Sequence, residues 1–249
     1  MIRPGKVEAL VLSRRKVGEG DRLLTIFTEP YGLLKVVAKG VRKIPSRRGG
    51  HVEPWTRIMS VISGTRGRYF LTGAEMIAEY PHVRTDVAIQ EHVRWLTQAI
   101  VQLLEEQQPY QDIYTGFTQA LSLLGELPET KRWLLEATLL LYILRCAGWP
   151  PRLTACHICG RPTPSEAIIL DGTQGGWHCL TCHQGLAGTR YSVMPELLKV
   201  LRFLERRPEA ALAVRLNPDQ AHQLGTAVRM YVHGIASQLR TPATSYARR

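Results

Sequence analysis

A chain of 249 residues with 45% hydrophobic residues has the apolar mass for one large core or two to three smaller ones, which sets aside a disordered or fibrous protein. The net charge of +11 calls for an acidic partner, with nucleic acid or an anionic membrane surface as the leading classes. The opening MIRPGKVEALVLSRRK lacks a signal-peptide core, and the longest strongly apolar run, Leu134 to Leu144, is interrupted by Glu136, so neither export nor a membrane span is expected.

The charge is unevenly spread. Residues 1–80 carry 15 basic and 7 acidic residues, 81–150 carry 5 and 8, and 151–249 carry 12 and 6. The field is densest from Arg14 to Arg48, where ten cations face three acids. These cations are threaded between β-branched runs that read as strands, which would hold them on a folded surface for a polyanion.

Five strands are expected at 7–13, 22–28, 33–39, 55–63 and 68–78, divided by turns such as Gly18-Glu19-Gly20-Asp21, Pro30-Tyr31-Gly32 and Gly64-Thr65-Arg66-Gly67. In the third, Leu34, Val36 and Ala38 share one face, and Lys35, Val37 and Lys39 the other. Five short strands in about 80 residues fit a small closed barrel of OB type, although an SH3-like barrel uses the same signals. Between strands three and four, Gly40 to Gly50 reads as a basic loop or a solvated linker.

From Asp86 the period turns helical. Ile89, Val93, Leu96, Ile100 and Leu103 mark a first helix capped by Thr85 or Asp86, and a second occupies 110–125. A third is capped by Thr130 and carries Trp133, Ala137, Leu140, Leu141 and Leu144 on one stripe. Two more open at Pro195 and at Asn217-Pro218, and the last nine residues read as frayed.

Cys156-His-Ile-Cys159 and, nineteen residues on, Cys179-Leu-Thr-Cys182 have the spacing of a four-cysteine zinc site. Four protein ligands leave no open position for water, so the zinc would be structural. Open alternatives are disulfides, a redox C-x-x-C, or a histidine (His157, His178 or His183) replacing one cysteine. Cys146 falls outside the pattern, as a small helical residue.

No catalytic constellation is expected. His51-Val-Glu53 ahead of a C-x-x-C invites comparison with zinc deaminases, but neither C-x-x-C is preceded by proline and about a hundred residues intervene. There is no G-x-x-x-x-G-K-[ST], H-E-x-x-H or G-x-S-x-G.

With these pieces in place, the chain resembles the bacterial RecO family of DNA repair proteins nearly end to end. The residues that carry the likeness are Glu19-Gly20-Asp21-Arg22-Leu23-Leu24, Phe27-Thr28-Glu29, Gly32, the run Val37 to Lys43, Ser46-Arg47-Arg48 and Glu53-Pro54-Trp55. Gly20 stands where serine is common in the family, and the cysteine quartet is absent from some members, so the metal is expected to be dispensable for the shared activity. The resemblance implies an OB domain, a helical body and a zinc-binding insertion. It further implies binding of single- and double-stranded DNA, annealing of complementary strands, assistance with RecR to the RecA recombinase on DNA coated with single-strand-binding protein, and contact with the tail of that protein. The expected location is the cytoplasm, at the nucleoid.

The α+β architecture read here is thus a five-stranded OB-type barrel over 1–80 followed by a helical domain over 81–151 and 191–249, interrupted by a four-cysteine zinc finger over 152–190. Candidate DNA contacts are Arg14, Arg15, Lys16, Lys35, Lys39, Arg42, Lys43, Arg47 and Arg48, and Tyr31, Trp55, Tyr69 and Phe70 are rings that either stack on bases or pack in the core. An alternative assigns the main role to the helical half, as an adaptor in which Arg202, Arg206 and Arg207 receive an acidic peptide; equally, these arginines would only offset a helix dipole. An RNA-binding protein or an enzyme is a third reading, because the OB barrel hosts many functions.

Overall fold

Alternating apolar residues and turn-forming glycines set out five strands, β1 (Gly5–Val17), β2 (Asp21–Thr28), β3 (Gly32–Ala38), β4 (Arg57–Thr65) and β5 (Arg68–Ala78). The computed structural model describes residues 5–41, 52–65, 68–162, 167–183 and 191–240. Antiparallel pairing joins β1 to β2, β2 to β3, β4 to β5 and β1 to β4, and a parallel step joins β3 to β5. The sheet therefore closes in the order β1-β2-β3-β5-β4, which is the OB arrangement and decides between the two small barrels.

Along β3 the expected alternation holds. Leu34, Val36 and Ala38 are buried in the barrel, Lys35 is exposed and Val37 half-buried. Leu24, Ile26, Ile58 and Ile62 complete the interior from the facing strands. The fourth strand starts later than residue 55, because Trp55 adopts φ 61, a left-handed conformation that cannot continue an extended chain.

The chain divides into two compact units, Met1–Val93 with Leu104–Gly125, and Arg94–Leu103 with Glu126–Arg249. In the first, α1 (Pro81–Thr85) and α3 (Gln111–Leu123) accompany the barrel. The Tyr114 ring meets Phe27 edge-on at 5.6 Å and its hydroxyl donates to Glu8 at 3.0 Å, while His82 Nε2 lies 2.6 Å from the Leu121 carbonyl. Helix α2 (Val87–Leu103) starts at Asp86, whose carboxylate accepts the amides of Ala88 at 2.8 Å and Ile89 at 3.2 Å.

In the second unit α4 (Glu129–Cys146) begins one residue before the expected cap. Pro128 takes the N-cap position and its carbonyl accepts the amide of Arg132 at 3.1 Å, so Thr130 lies inside the first turn. Within the segment read as a four-cysteine zinc finger over 152–190 lie a hairpin of β6 (Ile168–Asp171) and β7 (Gly176–Cys179), not expected from the sequence, and the single turn α5 (Leu180–His183). A two-residue strand, β8 (Ser192–Val193), pairs with β6 and leads into α6 (Pro195–Arg206), a 3-10 turn (Pro208–Ala213) and α7 (Pro218–Arg240). Asn217 and Gln220 cap α7 reciprocally, at 2.8 Å and 3.1 Å.

Glu136, the acid inside the apolar run, is fully buried and has a partner to match. Arg229 on α7 donates to its two oxygens at 2.6 Å and 2.8 Å, and the guanidinium lies over Trp133 at 4.3 Å and Trp95 at 5.3 Å. The pair fixes the register of α4 against α7 with a desolvated, bidentate contact.

Candidate nucleic-acid interface and metal centre

Register sorts the candidate cations by face, because residues directly opposed across a ladder point the same way. Arg15 opposes Leu23, Leu23 opposes Val37, and Val37 opposes Phe70. Lys35 lies two residues before Val37 on β3, so Arg15, Lys35 and Phe70 share the outer face of β1-β2-β3-β5, and Lys39 follows in the turn just past the end of β3. Lys39 sits 4.8 Å from the centre of the Phe70 ring, a cation–π contact that holds the ammonium over the sheet.

Arg14 and Lys16 point the other way. Arg14 opposes the buried Leu24, and Lys16 opposes Arg22, which places all three basic residues on the face that leads into the barrel mouth. Glu53 gathers two of them, accepting from Arg14 and, at 3.3 Å, from Arg22. The nine candidate cations are therefore not one array. Arg42, Lys43, Arg47 and Arg48 lie outside the described residues, as does His51. Glu53, considered above beside His51 as part of a catalytic pattern, is instead an internal counter-ion, and Glu106 plays the same part for Lys35.

The rings divide as well. Tyr69 belongs to the barrel core, 7% exposed, with its hydroxyl 3.1 Å from Gln107, and its ring offers no face to a base. Tyr31 packs partly buried against that core. Phe70 and Trp55 are half-buried. Trp55 is the most unusual: a bulky residue at φ 61 costs on the order of 1–3 kcal/mol and persists only where its surroundings impose it. Here its amide donates to the Val11 carbonyl at 2.6 Å and the Val11 amide donates to the Thr56 carbonyl at 3.0 Å.

Of the three arginines assigned to a partner peptide, Arg202 is already engaged. Its guanidinium donates to the carbonyls of Leu153 at 2.7 Å, Thr154 at 3.1 Å and Pro162 at 3.3 Å, tying α6 to the cysteine segment. Arg206 and Arg207 are exposed at the end of α6.

Cys156, Cys159, Cys179 and Cys182 come together with their sulfurs all within 4.8 Å of one another. The Cys156–Cys179 and Cys159–Cys179 separations are 3.9 Å. Thiolates around a tetrahedral ion at about 2.3 Å lie about 3.8 Å apart, whereas a disulfide needs about 2.05 Å. The donor set fits a metal ion and does not fit a pair of bridges. Gly160, at φ 73, turns the first knuckle, and its amide returns to the Cys156 carbonyl at 2.9 Å. Burial pushes the Cys156 thiol up, but the backbone amides of Cys159, Cys179 and Ile158 outweigh it and bring the thiol down to about 6. Hydrogen bonds with the Cys179 and Cys159 sulfurs hold the Cys182 thiol up at about 12. The segment is fastened to its own unit: Trp177 Nε1 donates to the Leu153 carbonyl at 3.1 Å and Gln238 donates to the Thr173 carbonyl at 2.6 Å.

Residues 1–80 match the family described as Recombination protein O N terminal, and residues 92–235 match Recombination protein O C terminal. The chain belongs to the recombination protein O family. Among its relatives, a DNA repair protein RecO of Roseiflexus sp. (strain RS-1) is 28% identical over 237 residues, covering 92% of this chain and 80% of the relative. Another, from Bifidobacterium adolescentis, is 34% identical over 182 residues, covering 71% and 72%. Membership in the RecO family places the chain in DNA repair and recombination. No helix among the described residues is long and apolar enough to cross a membrane.

Proposed function

We propose that this RecO-family chain binds single- and double-stranded DNA without sequence preference, anneals complementary strands and, with RecR, helps RecA onto DNA coated with single-strand-binding protein. The observation that carries the DNA-binding part is the row formed by Arg15, Lys35 and Lys39 around Phe70 on one face of the OB sheet. Arg15 and Lys35 held by strands, with Lys39 fixed over Phe70 just past β3, follow a phosphate backbone better than the same charges on a tail, and annealing needs only charge neutralisation with a grip loose enough for bases to find register. No acid, base or nucleophile is required, so the chain acts as a mediator and not as an enzyme. Arg14 and Lys16, on the opposite face, and Arg42, Lys43, Arg47 and Arg48, outside the described residues, are further candidate phosphate contacts in this reading.

The four cysteines hold a structural zinc ion, which shapes the β6–β7 hairpin and takes no part in binding DNA. Arg206 and Arg207 are the candidates for the acidic tail of single-strand-binding protein. The place of action is the cytoplasm, at the nucleoid.

The test is a salt titration of binding to single-stranded DNA with the wild type and with a Lys35→Glu/Lys39→Glu variant. About five phosphate contacts give a slope of log K against log salt near −3.5. The double reversal should flatten that slope and remove annealing; a salt-insensitive affinity, or unchanged binding by the variant, overturns the proposal.

A further inference from the structure

Three irregularities of the barrel meet at one place that the outer cation row does not use. β1 bulges between Val11 and Ser13, Trp55 is pinned at φ 61 by the hydrogen bond to Val11, and a pocket of about 540 Å³ opens beside them. Its lining runs from Leu12, Ser13 and Arg14 on β1 across Glu53, Pro54 and Trp55 to Arg84 on α1. Bulges and strained backbone concentrate where a fold re-aims a side chain toward a ligand.

The chemistry of the lining is specific. The half-buried Trp55 and Pro54 supply apolar surface over the buried Leu12, and the lining includes two guanidiniums. Arg84 is held by the Thr56 hydroxyl at 3.0 Å and by Glu79 at 3.4 Å, and Arg14 by Glu53. A planar aromatic ring carrying an anion fits such a surface. The volume lies within the roughly 300–1,000 Å³ typical of small-ligand sites, room for one nucleotide but not for a base pair in a stacked duplex.

We propose that this pocket is a nucleobase subsite: an unpaired base of single-stranded DNA stacks on the Trp55 indole while its phosphate meets the guanidinium of Arg14 or Arg84. The inference rests on the DNA-binding reading above and adds to it a contact that only an unpaired strand can make. Strand preference then arises at the Val11–Trp55 corner, and the outer row of Arg15, Lys35 and Lys39 remains indifferent to pairing. Stacking on an indole is tolerant of base identity, so the subsite brings no sequence specificity.

The experiment compares binding to an oligothymidylate and to an abasic oligomer of the same length, which carry equal numbers of phosphates. Wild type should prefer the base-bearing strand about tenfold. Trp55→Gly accepts the left-handed backbone, so the barrel folds, and this variant should bring the two oligomers to parity with the abasic salt slope retained. Trp55→Phe keeps a ring and should keep much of the preference while losing the indole fluorescence change on binding. A preference that survives in Trp55→Gly, or wild type binding both oligomers equally with a normal salt slope, overturns the subsite and leaves the phosphate interface standing. Failure of wild type to bind either oligomer overturns both.

Discussion

Lys35 on β3 is ion-paired with Glu106, 71 positions further along the chain, and the pair is solvated, 57% and 48% exposed. At such exposure the pair contributes about 0–1 kcal/mol to folding. In the DNA-binding role proposed for Lys35 its greater effect is on binding, because the carboxylate would compete with a phosphate for the ammonium. Glu53 does the same to Arg14 and Arg22. Glu106→Gln and Glu53→Gln should each tighten binding to single-stranded DNA by about two- to fivefold at low salt, with the gain fading as salt screens it. Unfolding midpoints should hardly move. Weaker binding in both variants would mean that the carboxylates orient the cations instead of competing for them.

The Glu136–Arg229 pair behaves oppositely, since both groups are buried. Removing one partner strands the other charge, at a cost of about 3–5 kcal/mol. Arg229→Met and Glu136→Leu singly should each lower the stability of the helical unit by about that amount in urea denaturation. The double variant should recover most of the loss. If the double variant is as unstable as the sum of the singles, the cation–π contacts with Trp133 and Trp95 matter more than the ion pair.

Much of this was readable in the sequence because β3 alternates, as in Leu34-Lys35-Val36, because turn residues separate the other strands, and because Asp86 and Asn217 are strong helix caps. The cysteine quartet was readable from spacing alone. The division of the cations between two faces was not, since it depends on the Arg15–Leu23–Val37 register and on the bulge after Val11, neither of which leaves a local trace. Trp55 was legible as an aromatic at a strand start, but its positive φ is imposed by a hydrogen bond to a strand 44 positions earlier. Glu136 looked like a flaw in an apolar run because its partner lies 93 residues away. The short β6–β7 hairpin was hidden by the Gly and Pro content around it.

Tyr114 predicts an alkaline effect. Burial, reinforced by the Glu8 carboxylate, pushes its phenol well above the usual value of about 10, and burial also raises Tyr80. In the unfolded chain these phenols ionise near pH 10, whereas in the barrel unit they stay protonated, so the unfolded state binds fewer protons above that pH. Stability should be independent of these groups below pH 10 and fall as pH rises beyond it. Tyr114→Phe should make that fall shallower while costing about 1 kcal/mol at neutral pH for the lost hydrogen bond to Glu8. An alkaline slope unchanged in the variant would contradict the assignment.

Gly32 joins β2 to β3 at φ 64, and a methyl group there would lie 1.7 Å from the Gln108 carbonyl oxygen. Gly32→Ala combines a left-handed backbone, roughly 1–2 kcal/mol for an L-residue, with a clash against main chain that has little freedom to move. The expected loss is about 2–4 kcal/mol in denaturant unfolding, together with weaker Lys35–Glu106 pairing, because the Gln107 amide donates to the Leu33 carbonyl in the same place. A neutral substitution would show that this stretch yields more readily than its contacts indicate.

Removing the proposed zinc with a strong chelator should separate the order of the cysteine segment from DNA binding. The ion is expected to contribute on the order of 10–16 kcal/mol of apparent binding free energy, enough to order a short hairpin of two four-residue strands that lacks a large core of its own. Trp177 is fully buried on β7 and reports directly on that order. Chelation should red-shift its emission and release one zinc per chain, and Cys179→Ser should reproduce the change without chelator. DNA affinity and its salt slope should survive both treatments, because the cations proposed to meet phosphate stand on the barrel. Loss of DNA binding in step with zinc release would move the interface to the second unit and refute its assignment to the outer face of β1-β2-β3-β5.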